Sequence, residues 1–129
     1  NTIEQQGFAA RSERMGHLFA DGLRQLGNKH AIIGDVRGRG LAIGVDLVTD
    51  RTTREPVPTT TTAKIIYRGY QLGAAFTYVG LNANVLEFMP PLTLTEPEIE
   101  EAVGIVDQAI ADVMDGKVAD ADVARFMMW

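Results

Sequence analysis

Apolar positions recur along this chain with two periods, and the switches between them divide it into elements. From about Thr2 to Leu26, Phe8, Met15, Leu18, Phe19 and Leu26 fall near helical spacing, which predicts a long first helix, with Gly27-Asn28 as a left-handed stop. Ile32 to Val36 then predicts a short strand entering a turn at Gly38. From Leu41 to Val48 the period drops to two: Leu41, Ile43, Val45 and Leu47 share one face, while Ala42, Gly44 and Asp46 form the other. One face suits a core. The other carries so little bulk that another backbone or a partner domain is expected to approach closely there.

The polar run Asp50 to Pro58 predicts a loop, followed by a helix from about Thr60 to Leu72, capped by a threonine and stopped at Gly73. Ala74 to Val79 and Val85 to Met89 predict two further strands. Thr95-Glu96-Pro97-Glu98 has the form of a capping box with proline in the first turn. Ile99, Val103, Val106, Ile110 and Val113 then repeat at intervals of four and three, which predicts a helix ended by Gly116. Val118 to Met128 predicts a short terminal helix. The order α-β-β-α-β-β-α-α, with connections too short for crossovers, predicts an α+β two-layer domain: a mostly antiparallel sheet of about four strands against helices.

Composition narrows the function. At 129 residues the chain is one domain. Its net charge of −5, with basic residues scattered, argues against a nucleic-acid partner. No window has the apolar run of a membrane span. There is no cysteine, so disulfides and thiolate metal sites are excluded, and a cytoplasmic location is expected. The start at Asn1 without Met, and the apolar end Phe126-Met127-Met128-Trp129, carry the expectation of a fragment whose tail docks elsewhere.

The candidate chemistry is sparse. Gly38-Arg39-Gly40 is not a dinucleotide loop, because the third glycine of that fingerprint would fall at Ile43 and a strand follows instead of a helix. His17 and His30 read as surface or boundary residues without a metal. Glu96, Glu98, Glu100 and Glu101 complement a helix N-terminus. Lys29, Lys64 and Lys117 are expected to be solvated, whereas a Schiff-base lysine needs a desolvated pocket. No catalytic residue is assigned.

Two segments resemble the class III aminotransferases. Residues 33–47, IGDVRGRGLAIGVDL, resemble the family's GDVRGRGLMIGVEL stretch, and residues 84–95, NVLEFMPPLTLT, resemble its NVLRxxPPLTxT segment. The Gly16 to Leu26 helix and the Glu-Ile-Glu-Glu-Ala helix after Thr95 are similar to family helices, so the likeness runs to about Val113. It implies the C-terminal small domain of a fold type I, pyridoxal-phosphate-dependent enzyme, spanning 1–129, homodimeric when full length. It also implies that the missing large domain of the same chain supplies the Schiff-base lysine and holds pyridoxal 5'-phosphate. No cofactor is expected in this fragment, which should be inactive alone.

The whole enzyme would transfer an amino group between an amino compound and a keto acid, with a small-molecule amine or amino acid as substrate. Many family members carry an arginine that grips a substrate carboxylate at the position of Glu87. A glutamate there would repel a carboxylate, which makes Glu87 a candidate substrate-binding residue for a neutral or cationic group, points to an anion bound elsewhere in the pocket, or else leaves Glu87 a solvent-facing strand residue. Racemases, epimerases and ammonia-lyases on the same scaffold are alternative readings. From a different class, the β-α-β-β-α order from Leu41 onward also admits a free-standing ferredoxin-like ligand-binding module.

Overall fold

The computed structural model describes residues 2–91 and 93–124. Helix α1 (Thr2–Leu26) leads into a hairpin of β1 (Ile33–Arg39) and β2 (Ala42–Asp50), then a two-residue strand β3 (Glu55–Pro56). Helix α2 (Thr59–Gln71), β4 (Thr77–Val79), β5 (Val85–Phe88), α3 (Glu96–Met114) and α4 (Asp120–Val123) complete the order. The sheet runs β1-β2-β5-β4 with β3 paired to the far end of β2, and every pairing is antiparallel. The fold is the α+β sheet-and-helix domain that the patterning predicts. None of the described helices is long and apolar enough to cross a membrane.

The alternation in β2 does what a period of two requires. Ile43, Val45 and Leu47 are buried at 1% exposure or less and join Val36, Leu86 and Phe88 in the core. Against them pack Met15, Phe19 and Leu23 of α1, Ile65 of α2, and Ile99, Val106 and Ile110 of α3. Phe88 centres the aromatic contacts, with Phe76 stacked at 4.8 Å and Phe19 tilted at 5.5 Å. Phe8 and Leu18 are both exposed: Leu18 sits about 100° around the helix from Phe19, whereas Phe8 keeps the angular position of Met15 two turns earlier but lies outside the core.

Several boundaries differ from the sequence expectation, each for a local reason. The β1–β2 turn is not at Gly38 but at Gly40-Leu41, where Gly40 takes φ +58°, the positive value that the first position of a type II′ hairpin loop demands. Neither Gly27 nor Asn28 turns left-handed. Instead α1 unwinds through tight bonds from Gly27, Asn28 and Lys29 to the carbonyls three residues earlier, and the Arg51 guanidinium caps the carbonyls of Gly27, His30 and Ile33. The expected loop at Asp50–Pro58 contains β3, because the Asp50 carboxylate accepts from the amides of Thr52 and Thr53 and folds the chain back. Helix α2 has Pro58 at its cap and no side-chain capping bond, so no threonine caps it.

At its other end α2 closes in a Schellman motif, with Gly73 donating to Tyr70 and Ala74 to Gly69, and Gly73 at φ +109°. That turn uses Ala74, so β4 starts at Thr77 instead. The capping box at Thr95 and Glu98 forms as expected, and Gly116 ends α3 at φ +76°. The terminal helix is described as far as Val123; its expected continuation to Met128, and the tail bearing Phe126 and Trp129, lie outside the described residues.

Inside α2, Thr62 is fully buried and its hydroxyl has no hydrogen-bond partner among the described residues. A buried hydroxyl without a partner carries a desolvation penalty of about 1–3 kcal/mol. Thr62→Val keeps the branched shape and removes that penalty. The substitution is expected to raise the denaturant midpoint by up to about 1 kcal/mol equivalent, read by urea unfolding; a clear loss of stability would mean the hydroxyl is satisfied.

Candidate functional site

Helices α1, α2 and α3 build the core on the inner face of the sheet and α4 packs on α2, so the outer face keeps the side chains that β2 leaves small. Two cross-strand rows define it. One runs Arg37, Gly44, Glu87, Thr77, and the next runs Asp35, Asp46, Val85, Val79. Arg37 reaches diagonally to Asp46 in a two-pronged pair at 2.7 and 3.2 Å. This is the fork geometry that arginine makes with a carboxylate, and it commits the guanidinium. Asp46 is 19% exposed. Glu87 is half-buried on β5, and among the described residues nothing hydrogen-bonds or ion-pairs with it. Above Gly44 the surface dips into an open concavity of about 380 Å³, walled by Ala42, Val79, Val85, Arg37 and Glu87.

The remaining sequence candidates fall elsewhere. His17 is exposed on α1. Glu98 closes the capping box, and Glu96 sits in the first turn of α3. Lys29 and Lys117 are each 62% exposed. Lys64 is not solvated as expected: its side chain is only 19% exposed and pairs with Asp120 at 2.5 Å, because α4 folds over that side of α2. Among the described residues no group of three or more His, Cys, Asp or Glu could hold a metal.

Two charge clusters were not visible in the sequence, because their members lie far apart along it. His30 Nε2 lies 2.6 Å from Asp107, which also accepts from Lys29, tying the end of α1 to α3. His30 is thus a part-buried boundary residue, as expected, but one with a carboxylate neighbour that lies 77 residues away along the chain. Burial raises the Asp107 pKa, but the bonds from His30 and Lys29 outweigh it and the net shift is downward. Asp112, 2% exposed, accepts from Arg68 at 2.7 Å and Gln108 at 2.7 Å, with Lys117 at 3.6 Å. The Arg68 bond is the main reason its carboxyl is held below the ordinary range.

The sign for Asp112 follows directly. A depressed folded pKa gives stability that is complete above the unfolded value, about 3.9, and is lost as pH falls through the folded value. Asp112→Asn is expected to lower stability at neutral pH and to flatten its decline in acid. Unfolding midpoints measured from about pH 7 to 2 check this; parallel acid limbs for the two proteins would refute the assignment.

A family model, Aminotransferase class-III, matches residues 1–110. The chain belongs to the class III aminotransferase family. It is 39% identical over 118 residues to the leucine/methionine racemase of Thermococcus litoralis, covering 92% of this chain and 26% of that enzyme. It is 34% identical over 115 residues to the taurine–pyruvate aminotransferase of Bilophila wadsworthia, covering 86% of this chain and 25% of that enzyme. A Bacillus anthracis aminotransferase structure superposes with a TM-score of 0.79 at 30% identity, over 85% of this chain and 25% of the other. The chain therefore spans about a quarter of the length of the relatives it matches.

None of the described lysines is placed to hold pyridoxal phosphate, which the family implies, as an imine. An amine that is to form an imine must be desolvated and unpaired beside a cavity. Lys29 and Lys117 are largely exposed and ion-paired, and Lys64 is held by Asp120.

Proposed function

We propose that this chain is the C-terminal small domain of a larger pyridoxal-phosphate-dependent enzyme of the family, and that the outer face of its sheet forms one wall of a substrate site completed by a large domain. The reading is carried by the uncovered outer face, where an unpartnered carboxylate, Glu87, stands over a glycine. An antiparallel sheet can leave one face to water in a free-standing module as well, so the reading leans equally on the chain's spanning about a quarter of the relatives it matches. The whole enzyme transfers an amino group between an amino compound and a keto acid, and Glu87 meets a part of the substrate that is not a carboxylate. A second reading, racemisation or epimerisation of an amino acid, is favoured by the likeness to a leucine/methionine racemase.

The experiment sets this chain beside the full-length protein. Pyridoxal phosphate mixed with the chain is expected to give neither imine absorbance nor turnover, whereas the full-length protein gives both. An imine traced to Lys29, Lys64 or Lys117 would end the reading.

A further inference from the structure

Gly44 leaves an open position between two charged side chains. It stands between Arg37 and Glu87 in the same cross-strand row. Neighbouring strands lie about 4.8 Å apart, so the Arg37 and Glu87 backbones are separated by roughly 10 Å with only backbone between them. The concavity over this gap has apolar walls in Val79 and Val85 and one carboxylate, Glu87, at its edge.

The charges of the face decide what it prefers. Arg37 is paired with both oxygens of Asp46, which balances its charge toward an incoming anion. Asp35 pairs in register with Asp46 on the same rows. Among the described side chains of these rows, one cation therefore faces three carboxylates, and Glu87 is a carboxylate without a partner. A half-buried carboxylate in that state favours a cation, and the net field of the face draws one in.

We propose that this slot is a subsite for the far end of a dicationic amine, such as an α,ω-diamine: Glu87 takes the distal ammonium while the methylene stem lies against Val79 and Val85. The inference rests on the reading that this face walls the substrate site of an amine-processing enzyme. It adds the substrate class.

The test uses the full-length holoenzyme with 1,4-diaminobutane and 1-aminobutane, which differ only in the second ammonium. The wild type is expected to prefer the diamine in kcat/KM by about tenfold or more, the worth of one charged hydrogen bond. Glu87→Gln removes the charge and Gly44→Ala fills the slot; both are expected to abolish the preference through KM for the diamine. Gly44→Ala is compatible with the fold, since its new methyl would meet Val85 at 3.4 Å, an ordinary contact. Calorimetry supplies a readout independent of turnover. The dication 1,4-bis(dimethylamino)butane, whose tertiary nitrogens cannot condense with a carbonyl, should bind the wild type and lose binding in Glu87→Gln.

No diamine preference in the wild type, or one untouched by Glu87→Gln, would overturn the subsite alone and point to a basic side chain of the large domain as the partner of Glu87. Turnover of no amine at all would overturn the functional reading and the subsite with it.

Discussion

Glu87→Arg in the full-length enzyme is expected to raise kcat/KM for amino donors bearing a carboxylate by about 10- to 100-fold relative to donors without one. The magnitude is that of a charged hydrogen-bonded pair, about 1.5–3 kcal/mol, gained where a repulsion stood before. The geometry favours the exchange. Position 87 lies over Gly44 on the outer face, and its nearest row neighbours, Gly44 and Thr77, offer no charge to divert a guanidinium. Arg37 is a weaker anchor for a substrate carboxylate, because Asp46 already pairs with it at two points. Asp46 is also the one competitor to watch, being one row away. If the substrate profiles of the two proteins coincide, Glu87 is a solvent-facing strand residue and the substrate lies elsewhere.

The fold was legible wherever the signal was periodic and local. The alternation of Ile43, Val45 and Leu47, the four-three spacing from Ile99 to Val113, and the capping box at Thr95 each depend on residues within a turn or two of one another. The same alternation, read from its bare side, also located the face that now carries Arg37, Asp46 and Glu87. What the sequence could not disclose were contacts closed by the tertiary fold. The cap on α1 is delivered by Arg51, 24 residues beyond Gly27, so no local pattern could distinguish it from a left-handed glycine stop. His30 and Asp107 are 77 residues apart, and Arg68 and Asp112 are 44 apart. Lys64 looked solvated because its environment is set by α4, which only the fold brings over it. Glu87 is an intermediate case. The resemblance marked the position, and the register then supplied its surroundings: a glycine on one side, a threonine on the other, and an arginine beyond that is already paired.

The outer face also depends on a contact between α1 and the β1–β2 turn, which two glycines make possible. A Cβ built on Gly16 would lie 1.8 Å from the Gly40 carbonyl oxygen and 2.5 Å from its carbon. Both are backbone atoms, so no side chain can swing aside to make room. The helix and hairpin must separate, and with them the Met15 and Phe19 contacts against the sheet. Overpacking of this kind costs about 1–3 kcal/mol and more where the backbone itself must move, so Gly16→Ala is expected to lower stability by about 3 kcal/mol or more. Gly7 in the same helix is the control. Nothing lies within 4 Å of a Cβ there, so Gly7→Ala is expected to stabilise by about 0.5–1 kcal/mol through helix propensity alone. Opposite signs in denaturant unfolding at two glycines of one helix would locate the effect in the Gly16–Gly40 approach. Equal effects of the two substitutions would mean that α1 does not sit this close to the turn.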